Sequence, residues 1–447
     1  MMKKILLAVL IATVACAAKA QNGINSPYSR YGFGLLSERS MGFNKGMGGV
    51  AQGFRDGQQI NIANPASYSE VDSLTALFDL GVTLQNGNYK MDGLQQNVRN
   101  TSFDYFAMQF RAAKNVGMTF GILPISNTKY SFASQKETIN GNENVTSSYS
   151  FNGDGGLREV FFGIGWHPFK PVSIGVNGSY VWGDYKHGMS MDFSESTAFG
   201  MQRIYTADIS TYSVQAGLQY IQPISKKDKV VIGATYTLGH DVASRAYRTT
   251  DMTLGTTIES ETVDTIKNAF QMPHSIAAGI TYYHSNTLRV GADFELQKWG
   301  DCKFPIQNST SSTEAYRSVK GQLNDRTKIS AGLDWTPNPM ERSILKRISY
   351  KVGGYYSKSY ANADPTGTIS DKPYEFGVSA GLSIPLRNKT LIFQQNASKL
   401  NLSFQWVHTD IPYFSSATMR QSSLKENYLK VCLGLTISEH WFYKWKF

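Results

Sequence analysis

Covalent chemistry at neutral pH usually needs a base, and histidine is the side chain most available for that task. The chain has seven: His167, His187, His240, His274, His284, His408 and His440. They are scattered, and none forms a recognisable constellation with a Ser or Thr nucleophile. Apart from His440 near the C-terminal edge, they fall where turns, loops or strand ends are expected, which makes them solvated histidines. Cys16, Cys302 and Cys432 show no metal-ligand spacing with one another or with His, and no Gly-rich phosphate loop follows a strand. These residues point away from an enzyme and call for no cofactor and no metal. Whatever the protein does, it does by shape and non-covalent contact.

The elements that would carry such contacts begin after a leader. Lys3 and Lys4 precede an apolar core from Ile5 to Ala15, and Ala18-Lys19-Ala20 forms a cleavage site before Gln21, so residues 1–20 read as a signal peptide. Thr13-Val14-Ala15 before Cys16 is a poor lipoprotein box. No later run is long and apolar enough for a membrane helix. Tyr 25, Phe 24, Trp 7 and Gly 40 suit a β-barrel with aromatic girdles, a bias shared by some secreted β-sandwiches. The net charge of +10 falls to +7 without the leader lysines and reads as loop surface; no basic patch with interleaved aromatics suggests nucleic acid. Cys302 and Cys432 are two distant cysteines, either paired or, more simply, free thiols.

From residue 74 onward, about fourteen amphipathic strands follow one another, near 74–88, 101–113, 116–132, 156–167, 172–193, 204–222, 229–246, 274–285, 287–299, 326–336, 346–360, 374–386, 399–409 and 427–441. Ser213-Val214-Gln215-Ala216-Gly217-Leu218-Gln219-Tyr220 places apolar groups on one face and polar ones on the other, as lipid outside and a polar lumen inside require. Tight connections near 114, 168–171, 226–228 and 286 alternate with long polar ones near 133–155, 247–273, 300–325 and 411–426. The expected fold is therefore all-β: a transmembrane antiparallel barrel over 74–447, with the short turns, the N-terminal segment and the C-terminus on the periplasmic side of a Gram-negative outer membrane. The terminal Trp441 to Phe447 stretch, ending in an aromatic residue, fits that compartment. Residues 21–73 lack periodicity and are rich in small residues, including Gly48-Gly49 and Asn64-Pro65-Ala66. Such a segment either packs as a plug in the lumen of so wide a barrel or is a plain periplasmic leader.

At this point the residues resemble a family. Gly48-Gly49-Val50-Ala51 with Asn64-Pro65-Ala66 downstream is similar to the hatch signature of FadL-type outer-membrane transporters. Met272-Pro273-His274 leading a strand, then Leu288 to Phe294 and Trp299, resembles that family's Pro-led strand, short turn and Asp-to-Trp strand. The resemblance implies a monomeric barrel of fourteen strands, surrounded by lipid and lipopolysaccharide, with Gly48, Gly49, Asn64, Pro65 and Ala66 in its hatch. It implies passive carriage of long-chain fatty acids or another hydrophobic small molecule inward. It also implies a kinked third strand that opens the wall sideways. Here that strand carries Phe120, Ile122, Leu123 and Pro124, the candidate residues of the exit; Pro124 would bend the wall there or form a simple bulge at the rim.

The leader Asn25 to Gly32, the Asp154-Gly155-Gly156-Leu157 stretch and the Gln21 start resemble a Bacteroidetes branch. That branch includes barrels serving the type nine secretion translocon. The alternative it implies is a plug or accessory subunit that binds a large secretion barrel protein and moves nothing small.

Overall fold

A computed structural model describes residues 26–440, except 92–93, 134–136, 140–141, 196, 256, 307–315, 363–372, 387–397 and 416–419. The leader, Cys16 and the aromatic C-terminal stretch lie outside the described residues. Fourteen antiparallel strands close into a barrel. They are β1 Thr75–Met91, β2 Leu94–Ala113, β3 in two pieces Val116–Pro124 and Ser126–Ala133, β4 Asn142–Phe169, β5 Val172–Phe193 and β6 Phe199–Pro223. β7 comprises Asp228–Thr237 and Arg245–Leu254, and β8 comprises Thr257–Lys267 and Ser275–His284. The ring continues with β9 Leu288–Gln297, β10 Arg326–Trp335, β11 Ser349–Lys358, β12 Tyr374–Pro385, β13 Lys399–Ser415 and β14 Arg420–His440, whose Gly434 pairs with Gly81 of β1 to close it.

Strand alternation sorts the side chains as a bilayer demands. On β4 the outward Val160, Phe162, Ile164 and Trp166 are exposed; on β6 the outward Tyr212, Val214, Leu218 and Tyr220 are exposed, while Gln215 and Gln219 between them are buried toward the lumen. The expected strands are all present, but several are longer. Most of the long connections expected near 133–155, 247–273 and 411–426 continue as paired strand, because polar residues without an apolar face still complete a backbone ladder. Hydrophobic periodicity cannot see such extensions.

Residues 26–72 form no strand of the wall. They touch the inner face of the ring nearly all the way round, so they occupy the lumen. Their path starts at the long-loop end, where Ser26 Oγ donates to Glu426 Oε1 at 2.7 Å, and leaves at the short-turn end into β1.

Inward-facing glycines let the segment's backbone lie directly on the wall. A Cβ on Gly332 would stand 2.1 Å from Met47 O, one on Gly233 1.8 Å from Gln52 O, and one on Gly117 1.9 Å from Tyr68 O. Wall side chains then supply the hydrogen bonds that an irregular backbone cannot make for itself. Ala51 N and Gln52 N donate to Asp293 Oδ2 at 2.6 and 2.9 Å, Arg55 N to Tyr283 Oη at 2.6 Å, and Lys351 Nζ donates to Phe43 O at 2.6 Å.

Candidate functional site

The expected hatch residues share one task, seating the segment. Gly48 and Gly49 have φ of 71° and 81°, conformations that L side chains rarely adopt, and Gly48 N donates to Ser379 Oγ at 2.9 Å. Asn64 caps the 3₁₀ helix Pro65–Glu70: its Oδ1 accepts from Ala66 N at 3.1 Å, and its Nδ2 donates to Gln52 O and Leu218 O. Pro65 and Ala66 rest on Gly175 of β5.

Four ion pairs tie the segment to the wall: Glu38 with Lys328 at 2.9 Å, Arg39 with Glu159 at 2.5 Å, Lys45 with Asp104, and Asp56 with Arg289 at 3.0 Å. Burial would raise the carboxyl of Glu38, but Lys328, with Lys430 and Arg326 beyond it, holds it down at about 2. Burial opposes ionisation of Asp56 too, and Lys399 and Arg289 overcome it, so this carboxyl also lies well below its ordinary range.

The third strand breaks between Pro124 and Ser126. Below the break β3 pairs with β2 as far as Ile122 opposite Phe106; above it, β2 has no ladder to β3 among the described residues. The edge so exposed is taken by the lumen segment. Its short strand Leu35–Leu36 pairs with Asn127 and Ser126, Ser37 N donates to Ile125 O at 2.8 Å, and Ser26 N to Lys129 O at 2.9 Å. On the other side, Gly156 has φ of 138°, and a Cβ there would stand 2.5 Å from Ser126 O. The Asp154-Gly155-Gly156-Leu157 stretch thus gives β4 the room to follow the break.

The four candidate exit residues do not converge. Phe120 points outward and is 39% exposed, and Ile122 shares its face. Leu123 points inward, 3% exposed, into a buried cluster with Phe43, Phe54, Tyr105 and Phe161. Alternation separates them. Only Pro124 reaches a cavity, and it borders two.

The first cavity, about 140 Å³, lies against the β2–β3 break and has a mixed lining, in which Glu38, Lys45, Asp104, Arg326, Glu375 and Lys430 stand beside Leu35, Phe103 and Tyr428. The second, about 190 Å³, has an apolar wall of Leu36, Ile125, Val181, Leu238, Met272 and Trp299. Its cations are already matched: Lys328 to Glu38, Arg39 to Glu159, and Arg326 to Glu295 at 3.4 Å. Above it a dry aromatic cluster closes the long-loop end. Phe33 of the segment stands at its centre, with ring centroids 5.1 Å from Phe304, 5.2 Å from Phe270 and 5.9 Å from Trp299.

Sequence reasoning missed this cluster and, apart from Pro124 and Gly49, the residues of the second cavity. The signal was available in Gly239 and Pro273, which interrupt β7 and β8. The histidines differ from expectation as well: His187 lies within β5 and is buried, its Nδ1 2.6 Å from Tyr130 Oη. Cys302 and Cys432 are both free and buried. Among the described residues, no group of His, Cys, Asp and Glu is arranged to hold a metal.

Solved structures with the same fold are FadL-type barrels. The CymD monoaromatic hydrocarbon channel is 13% identical with a TM-score of 0.58, the alignment covering 92% of this chain and all of that one. The toluene transporter TbuX of Ralstonia pickettii is 14% identical with a TM-score of 0.57, covering 89% and 98%. A FadL homologue of Pseudomonas aeruginosa is 10% identical with a TM-score of 0.58, covering 91% and 99%. No curated protein matches the sequence. A family model described as BamG matches residues 1–447, and the chain belongs to the BamG family.

Proposed function

We propose that this barrel sits in an outer membrane and binds and passes uncharged hydrophobic small molecules by diffusion, with residues 26–72 as its hatch. The observation that carries the reading is the second cavity: an apolar wall facing the lumen, roofed by the Phe33 cluster and floored by the segment. The solved barrels of the same fold include hydrocarbon and toluene transporters, which supports the class of cargo. An engineered apolar cavity of about 150 Å³ accepts benzene, so a space of about 190 Å³ suits a single ring or a short alkyl chain. A long-chain fatty acid fits less well, because its carboxylate would have to displace a partner from Lys328, Arg39 or Arg326. Affinity would come from burying apolar surface, at about 0.8 kcal/mol per methylene.

The test is equilibrium binding of radiolabelled toluene to the detergent-solubilised barrel. Saturable binding is expected, with loss in Met272→Trp, which fills the cavity. Toluene uptake equal to that of empty micelles would overturn the reading.

A second reading, docking onto another outer-membrane protein such as a secretion barrel, draws support from the hairpin above β7 and β8. Thr257–Lys267 is almost wholly exposed, and among the described residues it pairs along one edge only, with Arg245–Leu254. An open edge of this kind can accept a strand from a partner. Stoichiometric recovery of a second membrane protein in a mild-detergent pull-down, lost on shortening that hairpin, would favour it.

A further inference from the structure

The wall is interrupted a second time, between β6 and β7. Below the interruption Thr237 pairs with Gln215, and above it Arg245 pairs with Asp208. Residues 209–214 and 238–244 between them form no ladder with each other; one hydrogen bond, Leu238 N to Val214 O at 3.0 Å, marks the lower rim. The reason lies in the chain's own geometry. His240–Val242 turns inward and pairs with Phe270–Met272, which delivers Val242 and Phe270 to the cluster around Phe33. A strand that leaves the wall to build a lid leaves a window behind it.

Side chains alone close the window. The Tyr212 ring stacks on the His240 imidazole with centroids 4.1 Å apart and planes 14° apart, and Thr211 Oγ1 lies 2.6 Å from His240 Nε2. His240 Nδ1 is buried with no hydrogen-bond partner. Tyr212 is 50% exposed on the outer face, yet Tyr212, Leu238 and His240 also line the second cavity. The closure is therefore one side chain thick. Its height suits entry from lipid: on β6 the outward residues run apolar from Tyr220 up to Tyr212 and turn polar at Ser210 and Asp208. The five alternate positions from Tyr220 to Tyr212, at about 3.4 Å per residue, run roughly 27 Å along the strand, or about 21 Å in height at a tilt of about 40°, which puts Tyr212 toward the upper edge of an apolar band about 25 Å tall. The neighbouring Tyr180, which pairs with Tyr212, is exposed at the same level.

We infer that the gap between β6 and β7 is a side window through which an uncharged apolar molecule exchanges between the membrane and the second cavity, with the Tyr212–His240 pair as its shutter. This rests on the binding reading above and gives it a route distinct from the break at Pro124. Continuing the register below the gap sets His240 opposite Tyr212, and their rings already stack, so Tyr212→Cys with His240→Cys provides a staple across the opening.

The experiment uses the full chain in liposomes with 3-trifluoromethyl-3-phenyldiazirine, an uncharged single-ring photoprobe, in the lipid phase. Brief labelling is mapped by mass spectrometry. With the staple reduced, adducts are expected on Val181 and Met272 in the cavity as well as on Leu238 at the rim. Oxidation should abolish the cavity adducts while leaving those at the rim, and dithiothreitol should restore them. Tyr212→Ala should label the cavity several-fold faster than the parent chain. Cavity labelling indifferent to the staple and to Tyr212→Ala would overturn the window and leave the binding site intact. Absence of cavity labelling in every variant, together with no saturable toluene binding, would overturn both.

Discussion

The two interruptions of the wall are sealed in opposite ways. Between β2 and β3 the missing ladder is replaced by another backbone: Leu35–Leu36, Ser37 and Ser26 hydrogen-bond along the free edge. Between β6 and β7 the missing ladder is replaced by one stacked pair of rings. The first seal belongs to the lumen segment, so it opens only when the segment moves; the second needs a rotamer change. Charged groups line the cavities behind both, and the one behind the β6–β7 gap is the larger and has the broader apolar wall. The segment thus covers the first break with its own backbone and reaches the second through Phe33, in the cluster that Val242 and Phe270 join.

The sharpest way to separate the two is to remove the segment. A chain lacking residues 26–66 loses the strand that covers the β2–β3 edge, the four ion pairs and the floor of both cavities. It should turn from a closed barrel into an aqueous pore, read as steady open-channel conductance in planar bilayers, since a ring of fourteen strands is too wide for wall side chains to fill. Conductance no greater than that of the parent would mean that the wall closes without the segment. Heat-modifiable gel mobility reports whether the barrel itself has formed.

The next effect concerns the roof that the two regions share. Phe33→Ala removes the ring on which Phe270, Trp299 and Phe304 pack, and truncating a buried Phe costs about 3–5 kcal/mol. The loss should appear as faster amide exchange in residues 240–242 and 270–272, the pair that this cluster draws inward, with little change at the β2–β3 edge. Equal loosening at both breaks would show that the window is not held by the cluster alone.

Acid should act on the segment's seal. Glu38 and Asp56 are depressed below their ordinary values, so their ion pairs contribute fully above the unfolded carboxylate range near 4–4.5. That contribution is lost as pH falls through the folded values, about 2 for Glu38 and lower for Asp56. Protease protection of residues 35–60 is therefore expected to stay flat from pH 8 to about 5 and to fall below about pH 4. Lys328→Ala should move the onset for Glu38 upward. A loss of protection near pH 6 would exclude these carboxylates as the lock.

Much of this molecule was legible in advance because lipid imposes a pattern that sequence must carry. Strand count, outward apolar faces and the small-residue segment follow from alternation and composition; Gly48, Gly49 and Asn64 were marked by their resemblance to a hatch signature, and their positive φ and helix cap were found only in the structure. What escaped was of two kinds. Phe120, Ile122, Leu123 and Pro124 are neighbours in sequence, but a strand sends neighbours to opposite faces, so nearness in the chain was a poor guide to a shared site. The apolar cavity draws Leu36 from the segment, Val181 from β5, Leu238 and Met272 from the interruptions of β7 and β8, and Trp299 from the loop after β9. No local pattern announces a meeting of distant strands. Gly239 and Pro273 did mark where two strands leave the wall, but what they leave it for is set by Phe33, more than two hundred residues earlier.

The smallest effect tests what causes the β2–β3 break. Pro124 cannot donate to a ladder, and its position invites the conclusion that it forces the wall open. The surroundings argue otherwise. Ile125 N donates to Leu157 O at 2.7 Å, and Ile125 O accepts from Ser37 N, so the residue at the break is satisfied by β4 on one side and by the segment on the other. Gly156 on β4 has the backbone conformation that the displaced strand requires, and Leu35–Leu36 occupies the edge. Three independent features hold the break, and the proline is one. Pro124→Ala should accordingly leave the break in place: amide exchange at residues 126–130 and at 101–105 of β2 should match the parent, and stability should change by less than about 1 kcal/mol. If instead residues 101–105 become protected, a new β2–β3 ladder has formed. The proline would then be the cause of the opening and the segment only its cover.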